Sequence, residues 1–436
     1  MNSLIVGHGG REAALATRLA DSSKVFAFLG HENPTIVDLV TSGGGSFRLG
    51  DVRDGAAIAA FAVEMAIDIA LVSSDEPLAA GVVDALLEAG IRTVGPTKAG
   101  SEIEWNKSFS RSLLSEVAPE ANPRFAIVTT GDDIDALIAE IGNGGPVAIK
   151  PIGLTAGKGV KVVGPHLADN AAAADYVREL LASSPEAAAH IEERITAPEF
   201  TIQAITDGST IVFPPATYDY PYRYDGDTGL GTGGMGSCIQ PDGLFPFLSQ
   251  EHYDEACRIT TTVIHALRDK GRHFSGCVNA GFFATPDGVR VIEFNARFGD
   301  PEAINVMSLL TSDFTAALLK IASGSLEQGD ITYARKASVI TYLVAPSYPV
   351  ASDTRYRFRV DFAEIANAGA EALFSAAIAV GNGEFETLGT SRSLAIVATG
   401  ARVDEAREKV QRAIQEGVQG PLEWRSDIGV FPTAAS

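Results

Sequence analysis

Apolar residues in the first hundred positions come in short unbroken runs, separated by stretches where they recur every three or four residues. "SLIVG" is a continuous apolar run, which predicts a strand covered on both faces, and "KVFAFLG", "IDIALVSS" and "IRTVGPT" read as the strands that follow it. Between them "REAALATRLAD", "DGAAIAAFAVEMA" and "AAGVVDALLEAG" carry helical spacing. Strands joined by helices of this length pair in parallel. A doubly wound parallel sheet is therefore expected over residues 1–100.

From residue 101 the pattern becomes α+β. "SFSRSLLSEV" reads as a helix, "RFAIVTT", "DDIDALIAEIG" and "GPVAIKP" as strand, helix and strand, and "AAAADYVRELLAS" as an Ala-rich helix before the strand "AHIEERI". Further on, "EHYDEACRITTTVIHALRDKG" predicts a long helix, and "GCVNAGFFAT" with "VRVIEFNARF" a hairpin around "PDG". A central unit over 101–327, with a smaller subdomain at about 122–194, is expected. The β-rich pieces "ASVITYLVA", "LFSAAIAVG" and "SLAIVATG", and the helix "VDEAREKVQRAIQ", then predict a small separate C-terminal α/β domain over 328–436. The fold class expected is thus α/β and α+β multidomain, with a β-rich C-terminal part.

Charge narrows the partners. The chain holds 34 Lys and Arg against 55 Asp and Glu, a net charge of −21. This argues against nucleic acid and anionic membrane, which need a basic face, and leaves small molecules. No apolar run reaches the roughly 18 residues of a membrane span and no basic leader opens the chain, so a cytoplasmic protein, monomer or homodimer, is expected. Cys238, Cys257 and Cys277 form no metal-ligand pattern and read as reduced core thiols.

Several segments carry candidate chemistry. "GHGGRE" stands at a strand-to-helix junction, where glycines and unpaired N–H groups suit an anion, or merely a tight turn. It is no dinucleotide fingerprint, because Glu12 occupies the third glycine's place. "VAIKPIGLTAGKGVKVV" places Lys150 at a strand end and Lys158 between two glycines, which fits either a polyphosphate loop or a solvated basic turn. In "VIEFNARFGDPE" a two-residue period puts Glu293, Asn295 and Arg297 on one face. Carboxylate and amide oxygens suit a hard cation such as Mg²⁺, and Arg297 suits an anion, while a water-facing amphipathic strand explains the same alternation. "HIEERITAPEF" offers Glu192, Glu193 and Glu199 to a nucleoside, or to solvent. "DGDTGLGTGGMG" puts six glycines into twelve positions, the composition of a slack linker or of backbone laid close against something.

In this order, and together with "VGPTKAG" and the late "RSDIG", these segments resemble the ATP-grasp family over most of the chain, in its phosphoribosylamine–glycine ligase branch. The resemblance implies central ATP-grasp domains, with ATP and Mg²⁺ (or Mn²⁺) as cofactors. The implied reaction phosphorylates glycine and joins the acyl phosphate to phosphoribosylamine. By resemblance Lys107, Lys150, Lys158, Glu193 and Glu199 would hold the nucleotide, and Glu293 and Asn295 the metal. Arg297, Lys158 and Asp227 would act on the reacting groups. Gly9, Gly10, Arg11, Glu12, Asn33, Pro34, Thr228, Thr232, Gly233, Gly234 and Arg297 would meet substrates. The Gly-rich stretch would then lie against them, its glycines explained by collisions that a β-carbon would make with phosphate or amino acid.

The family pattern is kept more closely around nucleotide and metal than around the substrates. Ala13 stands where the family has His, "NPTI" at Asn33–Ile36 replaces "NPGN", and "SDEPL" replaces "PEAPL". "TYDYPYRY" at Thr217–Tyr224 replaces the segment containing "QDHKR", and Leu230 and Gly231 replace Pro and Asn. A relative acting on a different small carboxylate or amine is the alternative expectation. A silent nucleotide-binding protein and an NAD oxidoreductase are more remote.

Overall fold

In the first region strands β1 (Asn2–Val6), β2 (Lys24–Leu29), β3 (Phe47–Leu49), β4 (Ile69–Val72) and β5 (Arg92–Val94) alternate with helices α1 (Gly10–Ala20), α2 (Pro34–Ser42), α3 (Gly55–Glu64), α4 (Asp75–Ala80) and α5 (Val82–Glu88). The strands pair in parallel in the order β3-β2-β1-β4-β5. Ile5, Ala27 and Leu29 pack with Leu15 and Leu19 of α1, whereas Leu4, Val6, Phe26 and Phe28 pack with Ile58 and Phe61 of α3 and Leu86 of α5. Strands β1, β2 and β4 thus feed a core on both sides, as their apolar runs require. Three elements here lie outside the hydrophobic reading, the short helix α4 among them. Helix α2 starts at the Asn33 cap, and β3 is a three-residue edge strand without a buried face.

The computed structural model describes residues 1–152, 159–182, 187–389 and 391–431. After α6 (Lys98–Trp105) and α7 (Lys107–Val117) come β6 (Phe125–Thr129), α8 (Ile134–Gly142), β7 (Val147–Pro151), β8 (Lys161–Val162), α9 (Asn170–Leu181) and β9 (Ala188–Glu193). These strands form an antiparallel sheet, β6-β9-β7-β8, over a core of their own that includes Val128, Ile138, Ile149, Val177 and Ile191.

Strands β10 (Glu199–Thr206), β11 (Ile211–Val212), β12 (Tyr218–Asp219), β13 (Tyr222–Tyr224), β14 (Thr228–Gly231) and β15 (Gly236–Ile239) precede the long helix α10 (Gln250–Asp269). Then come β16 (Gly276–Thr285), β17 (Gly288–Asn295), α11 (Glu302–Leu309) and α12 (Phe314–Ser323). The chain ends with β18 (Ala337–Leu343), β19 (Arg357–Val360), α13 (Phe362–Asn367), β20 (Ala370–Phe374), β21 (Ala377–Gly381), β22 (Glu384–Thr387), β23 (Leu394–Gly400), α14 (Val403–Gly417) and β24 (Val418–Gln419).

The central sheet is β11-β10-β16-β17, antiparallel throughout. A second sheet, β12-β15-β18-β23-β20, takes two strands from residues 218–239 and three from beyond residue 336. The β-rich C-terminal region therefore does not stand apart as expected. It shares a sheet with the centre, and one apolar core runs from α1 through β16 to α14. "LFSAAIAVG" is divided as well: β20 joins the shared sheet and β21 a small one, β21-β22-β19-β24. Among the described residues, no helix is long and apolar enough to cross a membrane, and the three cysteines are free thiols.

Candidate active site

One irregularity of β17 decides where its polar residues point. Val289 and Val291 are buried, and so are Phe294, Ala296 and Phe298, so the inward parity changes along the strand. The change occurs at a register shift opposite Gly281 and Phe282, which pair with Glu293 and Val291 and leave Ile292 as the extra residue. Such a bulge re-aims the side chains beyond it. Ile292, Glu293, Asn295 and Arg297 consequently line one central cleft of about 490 Å³. The carbonyls of Val291 and Ile292, on the free edge of the sheet, accept hydrogen bonds from Arg111 at 3.1 and 2.9 Å.

Arg111 is itself held by Glu192, whose carboxylate accepts from its Nε and Nη2 at 3.0 and 2.8 Å and pairs with Lys150 Nζ at 2.6 Å. Burial alone would raise the Glu192 carboxyl; Lys150 and Arg111 overcome it and hold it down at about 2. Lys150 lines a recess with Glu193 and Glu199 that opens off the cleft, and Lys107 lines the cleft itself. Desolvation lowers the Lys107 ammonium, and Lys150 adds to that. Glu199 is accessible to water but surrounded by protein at the cleft mouth. Partial desolvation, then the charge of Glu293, push its carboxyl up to about 7. Glu193 is less available, since Arg124 donates to its carboxylate from the backbone N at 2.9 Å and pairs with it through Nη2 at 2.7 Å.

Glu293 and Asn295 fit a hard divalent cation by donor chemistry. Their side chains lie 3.5 Å apart, and the charge of Glu293 acts on both Lys107 and Glu199. Among the described residues no group of three or more His, Cys, Asp or Glu could hold a metal by itself. Phosphate oxygens and water would have to complete the shell, as is usual for Mg²⁺. Arg297 donates to Asn295 Oδ1 at 3.1 Å and pairs with Glu104 at 3.2 Å.

The cleft continues into an N-terminal pocket of about 240 Å³, with Arg11, Asp75, Asp300 and Ser391 lining both. Gly9 and Glu12 line this pocket, and Glu12 binds Arg11 Nε at 2.7 Å, Gly9 N at 2.8 Å and Ser74 Oγ at 2.9 Å. Gly10 faces inward instead: a β-carbon there would overlap the Tyr342 hydroxyl, which donates to Asp300 at 2.6 Å. Asn33 and Pro34 do not line the pocket. Asn33 is fully buried, donating to the His8 and Phe374 carbonyls and accepting from Ile36 N, so its groups are committed to the fold.

The Gly-rich stretch is a hairpin rather than an open loop, with β13 against β14. Thr232 and Gly233 line the cleft, but Asp227, Thr228 and Gly234 do not. Thr228 donates to Asp225 O at 3.0 Å and Thr232 to Pro221 O at 2.8 Å, so both hydroxyls serve the hairpin. At Gly234 the glycine is required by the fold itself. A β-carbon on Gly234, where φ is +98°, would come within 2.7 Å of Asp219 and Pro301, the chain's own atoms. Lys158 lies outside the described residues.

Sequence reasoning missed Glu104, Asp219, Asp300, Glu302 and Arg392, all of which line the cleft. Asp300 and Glu302 fell inside "VIEFNARFGDPE" and Asp219 inside the divergent "TYDYPYRY", whereas Glu104 and Arg392 fell in no quoted segment. Arg392 is buried and donates to Asp300 Oδ2 at 2.9 Å and to the Gly233 and Gly234 carbonyls. Burial, with Glu302 next, pushes the Asp219 carboxyl far up, and its Oδ1 has no partner among the described residues. Desolvation likewise raises Glu104, although Arg297 pulls the other way.

The chain is similar to known proteins along its whole length. Residues 1–104 match the model of the phosphoribosylglycinamide synthetase N domain, and residues 105–303 that of the phosphoribosylglycinamide synthetase ATP-grasp (A) domain. A phosphoribosylamine–glycine ligase of Methanobrevibacter smithii is 38% identical over 431 residues, covering 98% of this chain and 96% of the relative. The crystal structure of a phosphoribosylamine–glycine ligase from Thermotoga maritima superposes with a TM-score of 0.80 at 21% identity, over 98% of this chain and 100% of that one. The biotin carboxylase domain of Hydrogenobacter thermophilus 2-oxoglutarate carboxylase, in complex with MgADP, shares the fold at a TM-score of 0.70 and 15% identity, over 97% and 91% of the two chains. With whole-length identity added to the cleft and its polar lining, the chain belongs to the phosphoribosylglycinamide synthetase family of ATP-grasp ligases.

Proposed function

We propose that this chain couples ATP cleavage to the joining of glycine and 5-phosphoribosylamine, giving glycinamide ribonucleotide, ADP and phosphate. One observation carries the reading: the cleft lined by Lys107, Glu199, Glu293 and Arg297 adjoins the Arg11–Glu12 pocket, and Arg11, Asp75, Asp300 and Ser391 line both. An intermediate made at one end can therefore meet an amine at the other.

A carboxylate is a poor acylating agent because oxide would have to leave. Attack of a glycine carboxylate oxygen on the γ-phosphorus breaks the bond to the β–γ bridging oxygen and releases ADP. The amine nitrogen then attacks the acyl carbon, the C–O bond to phosphate breaks, and the nitrogen loses a proton. Phosphoryl transfer of this kind depends on positioning and on neutralising the transferred group. Lys107, Lys150 and Arg297 supply cations for that purpose, and Glu199 faces the nucleoside. Glu293 and Asn295 would hold Mg²⁺ or Mn²⁺, which when bound screens the phosphate oxygens. Asp219, with an unpartnered oxygen, and Glu302 offer acceptor oxygens to the glycine ammonium. Closure around the site keeps water from the acyl phosphate.

A second reading, an amine without phosphate, rests on the N-terminal pocket. Glu12, Asp75, Glu76 and Asp300 line it, and its Arg11 is already engaged by Glu12 and by the Phe298 carbonyl. A mass spectrum of the product from ATP, glycine and freshly made phosphoribosylamine decides between them. Glycinamide ribonucleotide is expected. ADP formation with other amines but none with phosphoribosylamine would replace the first reading by the second.

A further inference from the structure

The run Arg425-Ser426-Asp427 lines neither the central cleft nor the N-terminal pocket, yet it meets the turn of the Gly-rich hairpin residue by residue. The Asp225 carboxylate accepts from Ser426 N at 2.9 Å and from its hydroxyl at 2.5 Å. Gly226 N donates to Asp427 Oδ2 at 2.8 Å. Asp227 Oδ1 accepts from Arg425 Nη1 at 2.8 Å, and the same nitrogen donates to Tyr222 O at 3.0 Å. Asp427 fixes the guanidinium from the other side with two bonds of 2.7 Å. Arg425 is 1% exposed and lies 5.1 Å from the Tyr220 ring centre. The Tyr220 hydroxyl in turn accepts from Gly429 N at 2.9 Å and donates to Val430 O at 3.1 Å.

The hairpin needs outside support. Strands β13 and β14 pair only at Tyr222–Gly231 and Tyr224–Thr228, and β14 is exposed along its whole length. An isolated two-stranded ribbon is marginal in water, and its glycines raise the entropy lost on ordering. Both its flanks nevertheless reach the site. Tyr222 lines the recess beside Glu193 and Glu199, and Thr232 and Gly233 line the cleft.

We propose that Arg425, with Ser426 and Asp427, is a latch that positions the hairpin, setting where Tyr222 and the Thr232–Gly233 backbone stand against the substrates. Asp227 then acts through Arg425, not on the reacting groups. Charge-assisted bonds to a buried guanidinium give this contact the rigidity that the glycines lack. The inference rests on the ligase reading, so wild-type turnover is measured first.

Asp227→Asn, Ser426→Ala and Arg425→Met are compared with the parent in kcat, KM for ATP, thermal midpoint and amide exchange. Displacing bound groups by about an ångström costs on the order of 10- to 100-fold. Asp227→Asn and Arg425→Met are each expected to lower kcat/KM in that range and to speed exchange over Gly226–Gly234. Exchange in β18 and β23 stays at the parental rate. Because both act on one contact, the double variant is expected to be no worse than the poorer single. Fast hairpin exchange with kcat/KM within twofold of the parent would overturn the latch. Loss of activity in Asp227→Asn without faster exchange, or additive losses in the double variant, would overturn it too and return Asp227 to the reacting groups. If Arg425→Met does not fold, Asp227→Asn and Ser426→Ala decide alone. A parent chain that forms no product sinks the ligase reading instead, and the latch is then judged on exchange and on the Kd for ATP.

Discussion

Strand β17 and the Gly-rich hairpin both bring polar residues to the substrate cleft, but they are held there by different means. The strand is one ladder of a four-stranded sheet, braced at its bulge by Arg111, Glu192 and Lys150. Its functional side chains are free to face the cleft because the backbone does the holding. In the hairpin the positions are reversed: the backbone faces the cleft at Gly233, while Asp225 and Asp227 are used up in fastening it to the C-terminal segment. A carboxylate in a conspicuous motif can thus face a cleft in one place and serve as fastening in the other. What distinguishes them is the partner. Arg425 claims Asp227 at 2.8 Å, whereas Glu293 lines the cleft with the Asn295 amide beside it at 3.5 Å.

The difference can be broken from either side. The largest effect is expected at the strand: Glu293→Ala should cut kcat/KM by about 100-fold or more while moving the thermal midpoint by no more than about 2 °C, because the side chain is exposed. Steady-state kinetics and a melting curve on the same sample check it; parental activity would remove Glu293 from the metal site. Next comes the brace. Glu192→Gln leaves two buried cations short of a counter-charge and should cost about 3–5 kcal/mol in urea unfolding. Glu192 also has a signature in acid. Its folded carboxyl is held at about 2, below the ordinary 4.5, so its stabilisation is complete above pH 4.5 and is lost as pH falls toward 2. The Gln variant should flatten that limb of the stability curve.

A smaller effect belongs to His190, buried between Phe125 and the Glu192 brace. Desolvation lowers its ring to about 4 from 6.5. The unfolded chain therefore takes up a proton that the folded one refuses, and stability should fall by about 1.4 kcal/mol per unit as pH drops from 6.5 toward 4. His190→Phe should remove this slope in pH-resolved unfolding, and an unchanged slope would assign it to other groups. The smallest effect is expected on the hairpin's outer strand. Thr228→Val should leave kcat/KM within about twofold, since the hydroxyl bonds only to Asp225 O. A loss beyond tenfold would bring β14 into the cleft after all.

Much of this protein can be read from local pattern. The doubly wound sheet follows from unbroken apolar runs spaced by helices, since a strand covered on both faces needs no polar side. The two-residue period from Glu293 to Arg297 likewise places three polar groups together without any knowledge of the fold. Other features depend on distance and stay silent in the sequence. The bulge at Ile292 reverses the parity of β17, and only pairing with β16 reveals it. Arg392 meets Asp300, and Arg425 meets Asp227 across 198 positions, with no neighbouring residue to announce either. Backbone preferences act over a few residues, so they write themselves into periodicity and turn chemistry. A buried charge is tolerated or useful according to its partner, and the partner is chosen only when distant segments pack.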